Sequence, residues 1–145
     1  MAAVSNATPL IYLAKVRRLE LLEKTYHQVY VCLDVWREAI YPILYARPVP
    51  DDIPMILKAR SDGWLKLKDV EAKDAIAIRE ELLAQGLGSG ESNSIALAKE
   101  LNTLLLANDE SAILAAKRYG IETRWFTEVL HDALRIGHIK SVKEY

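Results

Sequence analysis

The chain holds a single cysteine, Cys32, which excludes an internal disulfide and any zinc site built on thiolates. Cys32 lies in the apolar run VYVCL and is expected to be a small buried hydrophobe. Neither sign of charge dominates: 19 basic residues face 20 acidic ones, for a formal net charge of −1. Bulk electrostatics therefore demand no polyanionic partner, although a local basic face can coexist with an acidic pocket. Histidine is scarce, and His27, His131 and His138 share no metal-ligand spacing. No apolar run approaches the length of a membrane span, so no membrane association is expected. The N-terminus lacks a basic segment followed by an apolar one, which predicts no secretory signal and a cytoplasmic location. Without export, the glycosylation sequon Asn6-Ala7-Thr8 is idle.

What remains is ordinary globular material, 51% hydrophobic and 27% charged, with no internal repeat, low-complexity segment or linker. One domain spanning 1–145 is expected. Short apolar runs alternate with helical patterns. Ala2 to Ser5, Val29 to Leu33, Trp64 to Leu67, Thr103 to Ala107 and Ile121 to Arg124 read as strands. Lys66 and Lys68 alternate with apolar residues and place the third strand near an edge. Thr8 and Pro9 read as the N-cap and first position of the first helix. Further helices are expected at 19–25, 34–41, 71–83, 92–101, 111–119 and 127–136, and another from Asp51 or Asp52 to Arg60. The prolines of ARPVPDDIP punctuate a loop before that one. Strands alternating with helices throughout predict an α/β protein, a parallel sheet with helices on both faces.

The stretch from Gly88 to Gly120 organises the chain as helix, strand, helix, with an acid at each junction. A helix of about ten residues advances roughly 15 Å and a strand of about five returns roughly 16 Å. Antiparallel packing of the two would bring Asp109 back beside Glu91, at the carboxyl end of a strand, where open α/β sheets place their sites. Glu38, after the second strand, falls at the same edge. Asn6 joins them if the first and fourth strands are neighbours. Several oxygen donors around one pocket are what Mg²⁺ or Mn²⁺ requires. Taken singly, each acid has a plainer explanation: Glu91 and Asp109 as complements or caps of helix starts, Glu38 as a solvated helix residue, Asp34 as a cap. The glycines of GLGSGES follow a helix and precede no Gly-Lys-Ser/Thr, so they fit neither a dinucleotide fingerprint nor a P-loop.

Four motifs in order give the constellation a family. VSNATPLIYLAK (Val4 to Lys15), VWRE (Val35 to Glu38), GESNSIALA from Gly90 and LLLANDESA from Leu104 resemble those of the PIN-domain nucleases. The likeness is to the small prokaryotic branch that includes VapC-like toxins, and the tail IETRWFTEVLHDALRIGHI fits it too. It covers essentially the whole chain. The resemblance implies a three-layer α/β/α sandwich with a five-stranded parallel sheet ordered 3-2-1-4-5, and metal-dependent hydrolysis of RNA phosphodiesters. Carried over by position, Glu38, Glu91 and Asp109 would hold Mg²⁺ or Mn²⁺. Asn6 stands where most members have Asp, with the Thr8 hydroxyl beside it. Asn offers a carbonyl oxygen but no charge.

The resemblance further implies a toxin acting with an antitoxin protein, and a homodimer. Arg17, Arg18 and Lys24 would track an RNA backbone or form a solvated charged face. Trp36, Trp64 and Trp125 are expected as core or interface anchors. The alternative to an enzyme is a catalytically weak PIN-like module that binds nucleic acid or protein, a reading that the Asn6 variant motivates.

Overall fold

The computed structural model describes residues 2–44, 46 and 53–137. Its strands are β1 (Ala2–Ser5), β2 (Gln28–Cys32), β3 (Leu65–Lys68), β4 (Leu104–Leu106) and β5 (Thr123–Arg124). The five form one sheet in the order β3-β2-β1-β4-β5, and every neighbouring pair is parallel. This is the 3-2-1-4-5 order that the resemblance implies. The central strands are apolar because helices cover both faces: Val4, Leu105 and Leu106 are fully buried. Lysine alternates along β3, which does lie at an edge.

The helices are α1 (Ala7–Lys15), α2 (Glu20–Tyr26), α3 (Leu33–Val35), α4 (Tyr41–Leu44), α5 (Ile53–Asp62), α6 (Lys73–Ala84), α7 (Ser89–Leu101), α8 (Glu110–Arg118) and α9 (Phe126–Arg135). From β1 the chain crosses through α1 and α2 to β2 on one side, whereas from β4 it crosses through α8 to β5 on the other. Right-handed crossovers in opposite directions put these helices on opposite faces. The crossing directions diverge between β1 and β4, which makes that crevice the switch point of the sheet. Here Ser5 pairs with Leu106, and the Asn6 amide donates to the Leu106 carbonyl at 2.9 Å.

Three local expectations are corrected. First, α1 begins at Ala7 with Asn6 in the cap position, so Thr8 and Pro9 already lie inside its first turn. Second, the segment after β2 is not one regular helix: residues Trp36–Ile40 form a π-turn between α3 and α4. Third, α7 starts at Ser89 and not at 92, so Gly90 lies within its first turn. Asp51, Asp52 and most of the proline-rich loop fall outside the described residues, as does the tail beyond Gly137.

Helix α7 is the spine of its layer. It packs on β1, β2 and β4 and lies against α3, α6 and α8. The spacing of Ile95, Ala98 and Leu101 predicts one apolar stripe, yet every residue from Ser92 to Ala98 is buried. Serine and alanine make this possible, because small side chains let neighbours close in all round. Asn102, in the left-handed region at φ 52°, then turns the chain into β4. No helix among the described residues is long and apolar enough to cross a membrane. Cys32 is buried, as are Trp36 and Trp64, while Trp125 is partly so.

Candidate metal-binding site

At the carboxyl ends of β1 and β4 a cavity of about 240 Å³ opens. Asn6, Glu38, Glu91 and Asp109 all line it, with Thr8, Ser89, Gly90 and Asn108 among their neighbours. Asn6 and Thr8 follow β1, Glu38 rides the π-turn, Glu91 sits in the first turn of α7, and Asp109 caps α8. The topology thus brings together all four positions singled out as catalytic. Arg17 and Arg18 do not line this cavity; they follow the far end of α1, where the Arg18 Nε donates to Glu20 at 2.7 Å.

The plainer explanation of Asp109 is correct as far as it goes: its Oδ2 accepts from the Ala112 amide at 3.3 Å. Capping occupies one oxygen and leaves the carboxylate on the cavity wall. Glu91 feels it there. Burial, first, and the adjacent Asp109 charge, second, raise the Glu91 carboxyl above its ordinary range, and a hydrogen bond to Asp109 adds to the effect. Two acids in contact, one of them desolvated, form a site that favours a shared proton or a cation.

Asn6 supplies the other irregularity. Its side-chain oxygen, Oδ1, is buried and has no hydrogen-bond partner. An unpaired buried acceptor is expensive, which makes it a ligand position in waiting. Among the described residues, no three acids or histidines converge tightly enough to make a closed cage. Mg²⁺ does not need one: it is held by one or two carboxylates and keeps several waters. The Glu91–Asp109 pair, the Asn6 carbonyl oxygen and Glu38 on the same cavity fit that habit.

Sequence reasoning missed Asp34. It does not cap a helix; its Oδ2 accepts from the Ser89 hydroxyl and from the Asn93 amide, the latter at 3.1 Å. A slightly larger cavity, about 290 Å³, lies at the opposite edge of the sheet, where Lys99, Asn102 and Glu122 surround the start of β4. Glu122 is the one acid among the described residues that line it, so the smaller cavity is the candidate site.

The family model described as DUF3368: PIN domain matches residues 2–145. No curated protein matches the sequence. Among solved structures, a PilT N-terminus domain protein, SSO1118, from the hyperthermophilic archaeon Sulfolobus solfataricus P2 is 23% identical with a TM-score of 0.56, the match covering 92% of this chain and 94% of that one. VapBC2 from Rickettsia felis, bound to a DNA fragment from its promoter, is 18% identical at a TM-score of 0.60, covering 86% and 98%. FitAB bound to an IR36 DNA fragment is 12% identical at 0.54, covering 86% and 94%. At these identities the structures speak for the fold alone. The family match spans nearly every residue, and the sheet order is the one its motifs imply: the chain belongs to the PIN-domain family.

Proposed function

We propose that the protein is a Mg²⁺- or Mn²⁺-dependent endoribonuclease that acts as the toxin of a toxin–antitoxin pair. Membership of the PIN family supports nuclease activity in general. The observation that carries the reading is the convergence of Asn6, Glu38, Glu91 and Asp109 on one cavity, with Glu91 and Asp109 in contact.

Asp109, Glu91 and Glu38 would hold the cation, and the Asn6 carbonyl oxygen would complete the set. When bound, a divalent cation supplies Lewis-acid activation of water and neutralises charge on the scissile phosphate. The residues do the rest. Glu91, on the wall beside the attacking water, would accept its proton as the new P–O bond forms. The bond to the leaving ribose oxygen breaks, and that oxygen takes a proton from solvent. The Thr8 hydroxyl, exposed on the cavity rim, donates to a phosphate oxygen. Arg17 and Arg18, beyond the far end of α1, would meet an RNA strand running past the cavity along that helix. No histidine among the described residues lines the cavity, and proton transfer falls to a carboxylate.

Two structural neighbours, VapBC2 and FitAB, are assemblies bound to DNA. They support a protein partner, an antitoxin, for this chain. A cytoplasmic homodimer completes the proposal. A second reading, a PIN-like module with weak catalysis, rests on Asn6, which brings no charge to the site.

Cleavage of a fluorogenic RNA with added Mn²⁺ is the test, with EDTA and the Asp109→Asn variant as controls. Cleavage that needs Mn²⁺ and is lost in the variant is expected. Activity that survives both controls would remove this cavity from the mechanism.

A further inference from the structure

Glu38 and Glu91 reach the same cavity from two segments far apart in sequence, and neither segment is the interior of a regular α-helix. The π-turn that carries Glu38 is a local departure from regular helix, of the kind found at functional sites. Glu91 sits in the first turn of α7, where backbone amides lack helical partners. Something must fix the spacing between them.

A continuous seam does so. Asp34, two residues before the π-turn, accepts from the Ser89 hydroxyl and, at 3.1 Å, from the Asn93 side-chain amide. Asn93 also donates to the Ser89 carbonyl at 2.9 Å, so its amide bridges Asp34 and the helix backbone. Ser89 and Asn93 flank Glu91 in α7. Beside this clasp Gly90 presses on the π-turn: a Cβ there would meet the Val35 methyl at 3.2 Å and the Glu38 Oε2 at 3.7 Å. Deeper in, the Cys32 thiol lies 3.5 Å from the Ser94 hydroxyl. Asp34 itself does not line the cavity.

We infer that Asp34 is a positioning residue: its carboxylate ties the first turn of α7 to the helix leading into the π-turn and so sets the separation of Glu38 and Glu91. A carboxylate facing a helix N-terminus is electrostatically at home, which lets it hold two donors without a cation of its own. Its effect on metal rests on the nuclease reading above, but its effect on geometry does not.

The experiment compares the full-length natural protein with Asp34→Ala, Asp34→Asn and Asn93→Ala. Mn²⁺ affinity is read by electron paramagnetic resonance, and amide hydrogen exchange of residues 36–40 and 88–93 is read without metal. Expected for Asp34→Ala is a loss of Mn²⁺ affinity of about tenfold, the scale seen when a group orienting a metal ligand is removed. Exchange should accelerate in both segments while the sheet stays protected. Asp34→Asn, whose amide oxygen still accepts from Ser89 and Asn93, should restore affinity to within about threefold of natural.

Should Asp34→Ala fail to fold, Asn93→Ala, which removes one arm of the clasp, is expected to show the same two changes at smaller size. Exchange in the two segments matching the natural protein in folded Asp34→Ala and Asn93→Ala would overturn the inference. So would unchanged Mn²⁺ affinity in folded Asp34→Ala or Asn93→Ala when the natural protein binds the ion. If the natural protein binds no Mn²⁺, the nuclease reading falls, and exchange alone still decides the clasp.

Discussion

Glu91 and Asp109 stand side by side on one cavity wall although a helix and a buried strand separate them in the chain. Their contact follows from length matching: α7 carries the chain away from the sheet edge, and β4 with its extension through Ala107 and Asn108 carries it back. It also leaves a mark on stability, which is the most accessible signature of the site.

That mark has a definite sign. Because the Glu91 carboxyl is raised in the folded state, the native protein binds its proton more tightly than the unfolded chain does. The stabilisation is complete below the ordinary glutamate range and is lost as pH rises through the folded value. At neutral pH the charged pair is therefore a burden. Glu91→Gln should raise the Tm at pH 7 by about 1–2 °C, a small gain because solvent screens the pair. The gain should vanish near pH 4. Thermal melts across pH check it, and an equal effect at both ends would contradict it.

Asp109 has two jobs, and two substitutions separate them. Asp109→Asn keeps an oxygen for the Ala112 amide but removes the charge; Asp109→Ala removes both. Cleavage should be lost in each. Stability should differ, with alanine lower than asparagine by about 1 kcal/mol, the usual worth of a helix cap. Urea melts of the two variants, with RNA cleavage alongside, give the comparison.

Asn6→Asp tests what the missing carboxylate costs. The Asn6 oxygen is buried without a partner, so a charge placed there beside the acidic pair should lower the Tm in EDTA. Saturating Mn²⁺ should reverse that loss, and Mn²⁺ affinity should rise roughly tenfold, in keeping with the way ligand charge tunes such sites. A large gain in cleavage would mark the natural chain as attenuated. Strong cleavage by the natural chain would retire the weak-module reading.

Away from the cavity, Asp132 ties α9 to α2 and β5. It accepts from the Tyr26 hydroxyl at 2.8 Å, the Arg124 Nε at 3.0 Å and the Arg135 guanidinium at 3.0 Å. Burial, and then the bond to Asp132, raise the Tyr26 hydroxyl well above its ordinary range. Asp132→Ala strands a buried hydroxyl and a partly buried guanidinium, and should cost about 3 kcal/mol. Tyr26→Phe, which removes one bond, should cost about 1 kcal/mol. Neither should change Mn²⁺ affinity, which chemical denaturation and metal titration together would establish.

The sheet order and the convergence of acids were legible because both follow from coarse features: strand and helix alternation, apolar runs such as TLLLA, and motif order. Details set by contacts far apart in sequence were not. Nothing in VWREAI marks a π-turn, since each residue suits an ordinary helix. Asp34 reads as a cap because its true partners, Ser89 and Asn93, arrive only when α7 packs against α3. Gly90 looks like a breaker and is instead a point of close approach to Val35. The seven consecutive buried residues of α7 defeat a one-stripe reading because the helix is covered on every side.

On the proposed function, the cavity beyond β1 and β4 would hold a divalent cation between Glu91 and Asp109. A crystal soaked in Mn²⁺ and measured for anomalous scattering tests it most directly. The account predicts a peak in the cavity with carboxylate oxygens of Glu91 and Asp109 about 2.0–2.2 Å away, the distance hard cations of this size demand. A fully soaked crystal with no peak there, or with manganese bound only elsewhere, would contradict it.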